Sequence, residues 1–346
     1  MTSKTKKIVK YVTISLLALV IGAGVFVYIM YNTLIKPNTN LKERVTYSLY
    51  IHSDATFDDV VKTLEQDSVL LNINSFVNVS KQQEYDNNVK PGRFLIHEGM
   101  NNRQMVRVLS GGLQSPVKVT FSYSRYLEKI ASKVSKQIEA DSASIMNKYN
   151  DDSFIKSLDI EGRSKYTLVI PDTYEFYWNT SAEGFWKRMK LESDRFWNES
   201  RLKKAEMTGL TVDEVVTLAS IVEMETSKND EKARIAGVYM NRLKKGIPLQ
   251  ADPTLAYLID WNAKRILNQH KQIDSPYNTY MYKGLPPGPI CFPATATIDA
   301  VLNYEVHNYL YFCAKSDFSG YHSFSTTYTQ HQLNAKKYHD ALNNRQ

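Results

Sequence analysis

The sequence predicts an α+β protein: an N-terminal helix of membrane-spanning length, a small α/β module, and a larger mixed α+β domain with a helix-borne glutamate facing a groove. Three observations carry this. Residues 11–31 contain no charged side chain. Residues 46–113 alternate strand and helix signals over short distances, with Pro91-Gly92 and Gly111-Gly112 as breakers. Residues 211–225 open on Thr211 with Glu214 three positions later, a capping box, and continue with Val212, Val215, Val216, Ala219 and Val222 at helical spacing.

At 346 residues, 43% of them apolar and with only 14 Gly and 11 Pro, the chain has the composition of two or three folded modules rather than of a disordered protein. Residues 1–10 form a basic tail with Lys4, Lys6, Lys7 and Lys10 and no acid. Residues 11–31 then rise about 31 Å as a helix, matching a hydrocarbon core of about 30 Å. Tyr11, Tyr28 and Tyr31 near the ends suit the interfacial belts. The basic flank precedes the span, which predicts a cytoplasmic N-terminus and an exported remainder. A cleaved signal peptide is the competing reading; against it stand the length of the apolar run and the bulky YNTLIKP that follows in place of a small-x-small site.

Much of the net charge of +7 comes from the lysine tail. No aromatic-interleaved basic stripe occurs elsewhere, which argues against nucleic acid as a partner. There is no CxxC, HExxH or histidine cluster, so neither a metal site nor a cofactor is expected. Cys291 and Cys313 are compatible with one disulfide or with two buried thiols.

A linker is expected over residues 32–45, polar over 37–43. The module at 46–113 reads as a strand, a helix from near Thr56, a helix from Asn74, a strand over 93–96 and a short helix over 101–109. Its size and order resemble the LysM-type repeats that hold cell-wall glycan. Residues 114–165 hold a strand and a Ser/Lys/Asp-rich helical stretch, a connecting region without assignable chemistry. From Tyr166 to the end of the chain the text is denser in aromatics and is read as one further domain.

Within 211–225, Glu223 falls in the apolar stripe and Glu225 on its flank, between Leu218 and Ile221. A carboxylate so placed costs several kcal/mol unless it is paired or protonated. One reading is structural, with Arg234 or Arg242 of the next helix as counter-ion. The other is a catalytic acid whose pKa is raised by desolvation. Beyond a second helix from Asp230 to Lys245, residues 247–258 bring Gln250 and Asp252 to a turn fixed by Pro253. The segment 275–293 displays Tyr277, Asn278, Thr279 and Tyr280 beside Pro286, Pro287 and Pro289, as rigid loops at polar-ligand clefts do.

Four stretches, LASIVEMET, YMNRLKKGIPLQADPT, SPYNTYMYKGLPPGPI and YLYFCAKSDFSGYHSFSTTYTQH, occur in the order and spacing of the YceG/MltG family of endolytic murein transglycosylases, which the chain resembles across about residues 166–340. The anchor and the LysM-like module agree with it. The resemblance implies cleavage of the bond between N-acetylmuramic acid and N-acetylglucosamine inside peptidoglycan strands, leaving a 1,6-anhydromuramoyl end. It places the catalytic acid at Glu225, in Glu223-Met224-Glu225-Thr226, with Glu223 as a buried partner; a family lysine is Met224 here, and its helical angle predicts exposure.

It further implies that the substrate's own C6 hydroxyl is the nucleophile, so that one carboxyl serves first as acid and then as base. Candidates for orienting the sugar are Asn241, Gln250, Asp252, Tyr277, Asn278, Tyr280 and His322. The expected location is the inner (cytoplasmic) membrane, with the catalytic domain on its periplasmic side. Glycan strands are the expected partner and peptidoglycan synthases further candidates. The glutamate helix is expected to pack on a small, mostly antiparallel sheet, with the Pro-rich loop forming the groove. A non-catalytic glycan-binding scaffold of the wall-building machinery is the alternative.

Overall fold

The computed structural model describes residues 2–42, 44–160, 162–262 and 265–344. Met1 of the basic tail, Glu43 of the linker, Glu161 of the connecting region and residues 263–264 and 345–346 of the last domain therefore lie outside the described residues. The chain divides into two compact units, residues 1–118 with 175–180, and residues 119–174 with 181–346.

The first unit begins with α1, Ser3–Met30, continued by a wider turn over Tyr31–Ile35. Ser3–Ile35 is long and apolar enough to cross a membrane. Strand β1, Thr46–Ile51, pairs antiparallel with β2, Gly92–His97, in the register Thr46↔His97 to Ile51↔Gly92. Helices α2, Phe57–Gln66, α3, Ile73–Gln82, and α4, Asn102–Ser110, are interleaved with these strands in the chain. Thr56, Asn72 and Asn101 cap them, each accepting from a backbone N–H of the first turn. Leu49, Phe76, Phe94 and Ile96 form a solvent-free core.

The stretch read as a linker belongs to this fold. Leu41 is fully buried, and Asn38 donates to Asn102 Oδ1 at 2.7 Å and to the Asn72 carbonyl at 2.9 Å. Its polar composition reflects a buried amide network rather than solvation.

In the second unit, residues 119–174 supply α5, Leu127–Ser135, α6, Ser142–Asn150, and α7, Asp152–Ser157. Strands β3, Val117–Thr120, and β4, Thr173–Phe176, which pair with one another, each run across the bounds of the two units. There follow α8, Ala182–Phe196, α9, Glu199–Thr208, α10, Val212–Glu225, α11, Asn229–Lys244, α12, Asp252–Leu258, and α13, Thr295–Leu302. A hairpin of β5, Tyr311–Ala314, and β6, His322–Ser325, is followed by α14, Tyr328–Asn343.

Helix α10 carries the expected capping box: the Thr211 hydroxyl accepts from the Glu214 N–H, and the Glu214 carboxylate accepts from the Thr211 N–H at 2.8 Å. Val215, Leu218, Ala219, Ile221 and Val222 have no exposed surface. Burying each large one contributes about 1.5–3 kcal/mol. The surroundings differ from expectation. Helix α10 packs against α9, α11, α12 and α13 rather than on a sheet, and the β5–β6 hairpin meets α11 and α14. A helix apolar around most of its girth needs neighbours on all sides, which other helices supply and a two-stranded hairpin does not. Met224 is half-buried against this core, not exposed.

Candidate active site

The last turn of α10 divides its two glutamates by one residue and by environment. Glu223 points into the helical core, where its side chain is 7% exposed and that of Lys232 on α11 is 4% exposed. The Lys232 ammonium donates to both Glu223 oxygens, at 3.2 and 3.3 Å, and to the Thr297 hydroxyl at 2.7 Å. Thr297 and the Ala294 N–H at the start of α13 also donate to Glu223. The counter-ion is thus Lys232, one helical turn from the chain reversal. Arg234 instead pairs with Glu305, and Arg242 donates to the Leu249 carbonyl and to Gln250. Glu223 is a fully satisfied tie between α10, α11 and α13.

Glu225 closes the helix on the other side, in a cleft of about 540 Å³. Tyr239, on α11 and 1% exposed, donates its hydroxyl to the Glu225 carboxylate. Burial raises the Glu225 pKa from 4.5 to about 7; the Tyr239 hydrogen bond opposes this and the negative charge of Asp252 adds to it. Burial and the same carboxylate push the Tyr239 phenol well above its ordinary range, so it remains a donor. The result is a carboxyl that exchanges its proton near neutrality, as general acid–base catalysis requires.

The cleft walls come from several elements. The turn before α12 supplies Gln250 and Asp252. Gln250 is left-handed, φ 52°, and is held by its N–H to the Thr279 carbonyl at 2.9 Å and by Arg242 donating to its side-chain oxygen at 2.8 Å. Its side-chain NH₂ remains available. Asp252 accepts from Tyr280 at 2.5 Å. The hairpin supplies Tyr311, Phe312 and His322. Glu231 of α11 grips His322 by accepting from its N–H at 3.0 Å and pairing with Nδ1 at 2.9 Å, which leaves Nε2 as the open ring nitrogen. Tyr328 and His331 on α14 complete the enclosure.

Of the residues read from sequence, Glu225, Gln250, Asp252, Tyr280 and His322 meet at the cleft. Glu223, Asn241, Tyr277 and Asn278 do not line it, and their polar atoms are engaged internally. The Asn241 amide donates to the His307 and Tyr309 carbonyls at 2.7 and 3.0 Å. It fixes the irregular segment leading to β5 against α11, where Gly237 allows close approach: a Cβ there would lie 2.3 Å from the Glu305 carbonyl oxygen. Asn278, fully buried, donates to the Lys271 and Ile273 carbonyls and accepts from the Tyr280 N–H, thereby setting the loop that carries Tyr280. Tyr277 packs its ring on Tyr257 at 4.9 Å.

The Pro-rich loop forms the groove only through Tyr280; its proline-bearing half packs elsewhere. Ile290 and Cys291 are buried against α10, where the Ile290 N–H donates to the Ser220 hydroxyl at 2.9 Å and the Cys291 thiol to the Ser220 carbonyl at 3.4 Å. Prolines here stiffen a packing element instead of a wall. Both cysteines are free thiols, Cys313 lying at the cleft.

Tyr239, Arg242, Lys271, Tyr311, Tyr328 and His331 line the cleft without having been singled out as site residues. Tyr239 and Arg242 lie in the quoted stretch YMNRLKKGIPLQADPT and share one α11 face, three residues apart, the signals that could have found them. Tyr328 and His331 end the quoted stretch YLYFCAKSDFSGYHSFSTTYTQH, but nothing within it set them apart, because α14 reaches the cleft through the hairpin it packs on.

Comparison with known proteins places these observations in context. The model of the YceG-like family matches residues 49–337. An endolytic murein transglycosylase of Bacillus subtilis is 28% identical over 94% of this chain and 92% of its own length. One from Streptococcus pneumoniae is also 28% identical, over 86% of this chain, which spans 59% of that relative's length. A 2.6 Å crystal structure of a YceG-like protein from Listeria monocytogenes superposes with a TM-score of 0.56 at 28% identity, covering 84% of this chain and 98% of the other.

Proposed function

Starting from the fact that the chain belongs to the YceG-like family, we propose that it is an endolytic peptidoglycan lytic transglycosylase with Glu225 as its acid and base. The observation that carries this reading is a single desolvated carboxyl in an open cleft, its pKa raised to about 7, in a chain similar to two endolytic murein transglycosylases.

The bond cleaved is that between N-acetylmuramic acid C1 and the O4 of N-acetylglucosamine. Protonated Glu225 donates to the departing O4 as the C1–O4 bond breaks. The C6 hydroxyl of the same muramic acid residue then forms the O6–C1 bond, and its proton passes to the Glu225 carboxylate. Water is neither consumed nor released, and Glu225 ends as it began. An internal nucleophile supplies effective molarity that a second protein carboxylate would otherwise have to replace. Tyr239 holds the Glu225 carboxyl in one orientation through both proton transfers. Gln250, Asp252, Tyr280 and the open Nε2 of His322 orient the sugar amides and hydroxyls.

The apolar helix Ser3–Ile35 tethers the protein in the cytoplasmic membrane with its lysines inside and the catalytic unit outside. Residues 46–113 act as a LysM-like glycan holder, and cleavage of nascent strands ends their growth beside the synthases that make them. Mass spectrometry of purified glycan strands, incubated with the full chain in detergent, tests this. Wild type is expected to release internal fragments with 1,6-anhydro ends, one water lighter than hydrolysis products, and Glu225→Gln none. Hydrated ends would indicate a muramidase. Binding without cleavage by either protein would indicate a scaffold.

A further inference from the structure

The apolar N-terminal helix joins the first unit without slack. Leu34, in the wider turn that ends it, packs against the core of that unit. The Thr33 carbonyl accepts from the Asn102 amide at the start of α4 at 2.8 Å, and the same amide donates to the Ser75 hydroxyl of α3 at 2.9 Å. Asn38 closes the set by donating to Asn102 Oδ1, and the Leu71 N–H donates to the Asn38 carbonyl at 2.8 Å. Asn38 and Asn102 are buried, so water does not compete for these bonds.

This joint fixes a depth. The uncharged run of residues 11–31 matches a hydrocarbon core of about 30 Å, and each polar interfacial layer adds about 5–8 Å. Thr33 lies two residues beyond that run, about 3 Å along the axis. Its carbonyl and the Asn102 amide bonded to it therefore lie at headgroup depth. The surface around them has the chemistry of a lipid contact. Ile35 and Leu71 are left 56% and 64% exposed. Lys36, which follows Ile35, and Arg103, which follows Asn102, are exposed as well. Residues 31–39, 69–75 and 99–105, which make up this end, contain no Asp or Glu. Apolar side chains reach toward acyl chains, and the two cations meet lipid phosphates. A soluble partner would have to displace the bilayer that the helix itself brings to this face.

We infer that this end of the first unit, with Ile35, Lys36, Leu71 and Arg103, rests on an anionic lipid surface, so that the unit is held at a fixed height on the membrane rather than on a flexible tether. The inference rests on the reading of Ser3–Ile35 as a membrane span.

The test uses the full chain in vesicles of equal parts phosphatidylglycerol and phosphatidylcholine, with and without a spin label on the choline headgroup. Cys313→Ser removes the half-buried thiol and Cys291 is buried, so a fluorophore on one introduced cysteine reports on that position alone. Strand β2 runs from Gly92 to His97 toward Asn101, which puts the exposed Asn88 about 20 Å along the strand from the joint. Leu71→Cys is expected to be quenched at least threefold more strongly than Asn88→Cys. Adding Lys36→Glu and Arg103→Glu is expected to weaken quenching at position 71 at least twofold and to leave it unchanged at position 35. Quenching of Ile35→Cys without quenching of Leu71→Cys, equal quenching at positions 71 and 88, or no response to the charge reversals overturns the inference while the span stands. An unquenched Ile35→Cys refutes the span, and the inference with it.

Discussion

Replacing Glu225 with glutamine removes one titrating proton from the cleft and keeps an oxygen to accept from Tyr239. The size of the effect follows from the environment. Burial carries the carboxyl from 4.5 to about 7, a difference of about 3 kcal/mol between its protonation states. Because the folded-state value is the higher one, the stability it represents is fully present below pH 4.5 and is lost as pH rises through about 7. Above that, the wild-type fold holds a desolvated carboxylate that the variant lacks. The two proteins are therefore expected to melt alike at low pH. Above about pH 8 the variant should be more stable by about 3 kcal/mol, or about 6–12 °C for a unit of this size. Activity should move the opposite way, falling by about 100-fold or more in the variant. In the wild type, kcat/KM should decline as pH rises through about 7, as the proton needed by the leaving oxygen is lost. Scanning calorimetry across this range, paired with the fragment assay, measures both. Parallel melting profiles at all pH values, or cleavage retained in the variant, would refute the reasoning.

Other changes separate support from chemistry. Lys232→Met strands Glu223 in the core and should destabilise by about 3–5 kcal/mol, much of it recovered on adding Glu223→Gln, as read by thermal unfolding. Tyr239→Phe removes the hydrogen bond that holds the Glu225 pKa down, so the falling limb of the pH–rate profile should move to higher pH; an unmoved limb contradicts the pairing. Asn241→Ala leaves two carbonyls without their donor and should lower stability by about 1–3 kcal/mol with little change in KM, whereas a sugar-contact residue would show the reverse.

Local chemistry was legible from the sequence because it acts over a few residues. The capping box at Thr211, the apolar stripe of α10, the caps at Thr56 and Asn101, and the uncharged run at residues 11–31 are all short-range patterns whose physics is complete within a turn or two. The four linked motifs likewise pointed to Glu225, Gln250, Asp252, Tyr280 and His322, which do converge on one cleft. Which glutamate faces the cleft was a tertiary decision. Periodicity placed Glu223 nearer the apolar stripe, but only the approach of α11 and α13 supplies the ammonium, hydroxyl and backbone N–H that make its burial tolerable. Only the cleft, with Tyr239 beneath and Asp252 across, leaves Glu225 desolvated without a cation. The polar residues of the Tyr-rich loop show the same division. Their hydrogen-bonding capacity is written in the sequence, but the fold directs Asn278 to backbone carbonyls and Tyr280 to Asp252. A side chain's partners depend on which distant segment folds against it, and that is set by long-range packing rather than by neighbours in the chain.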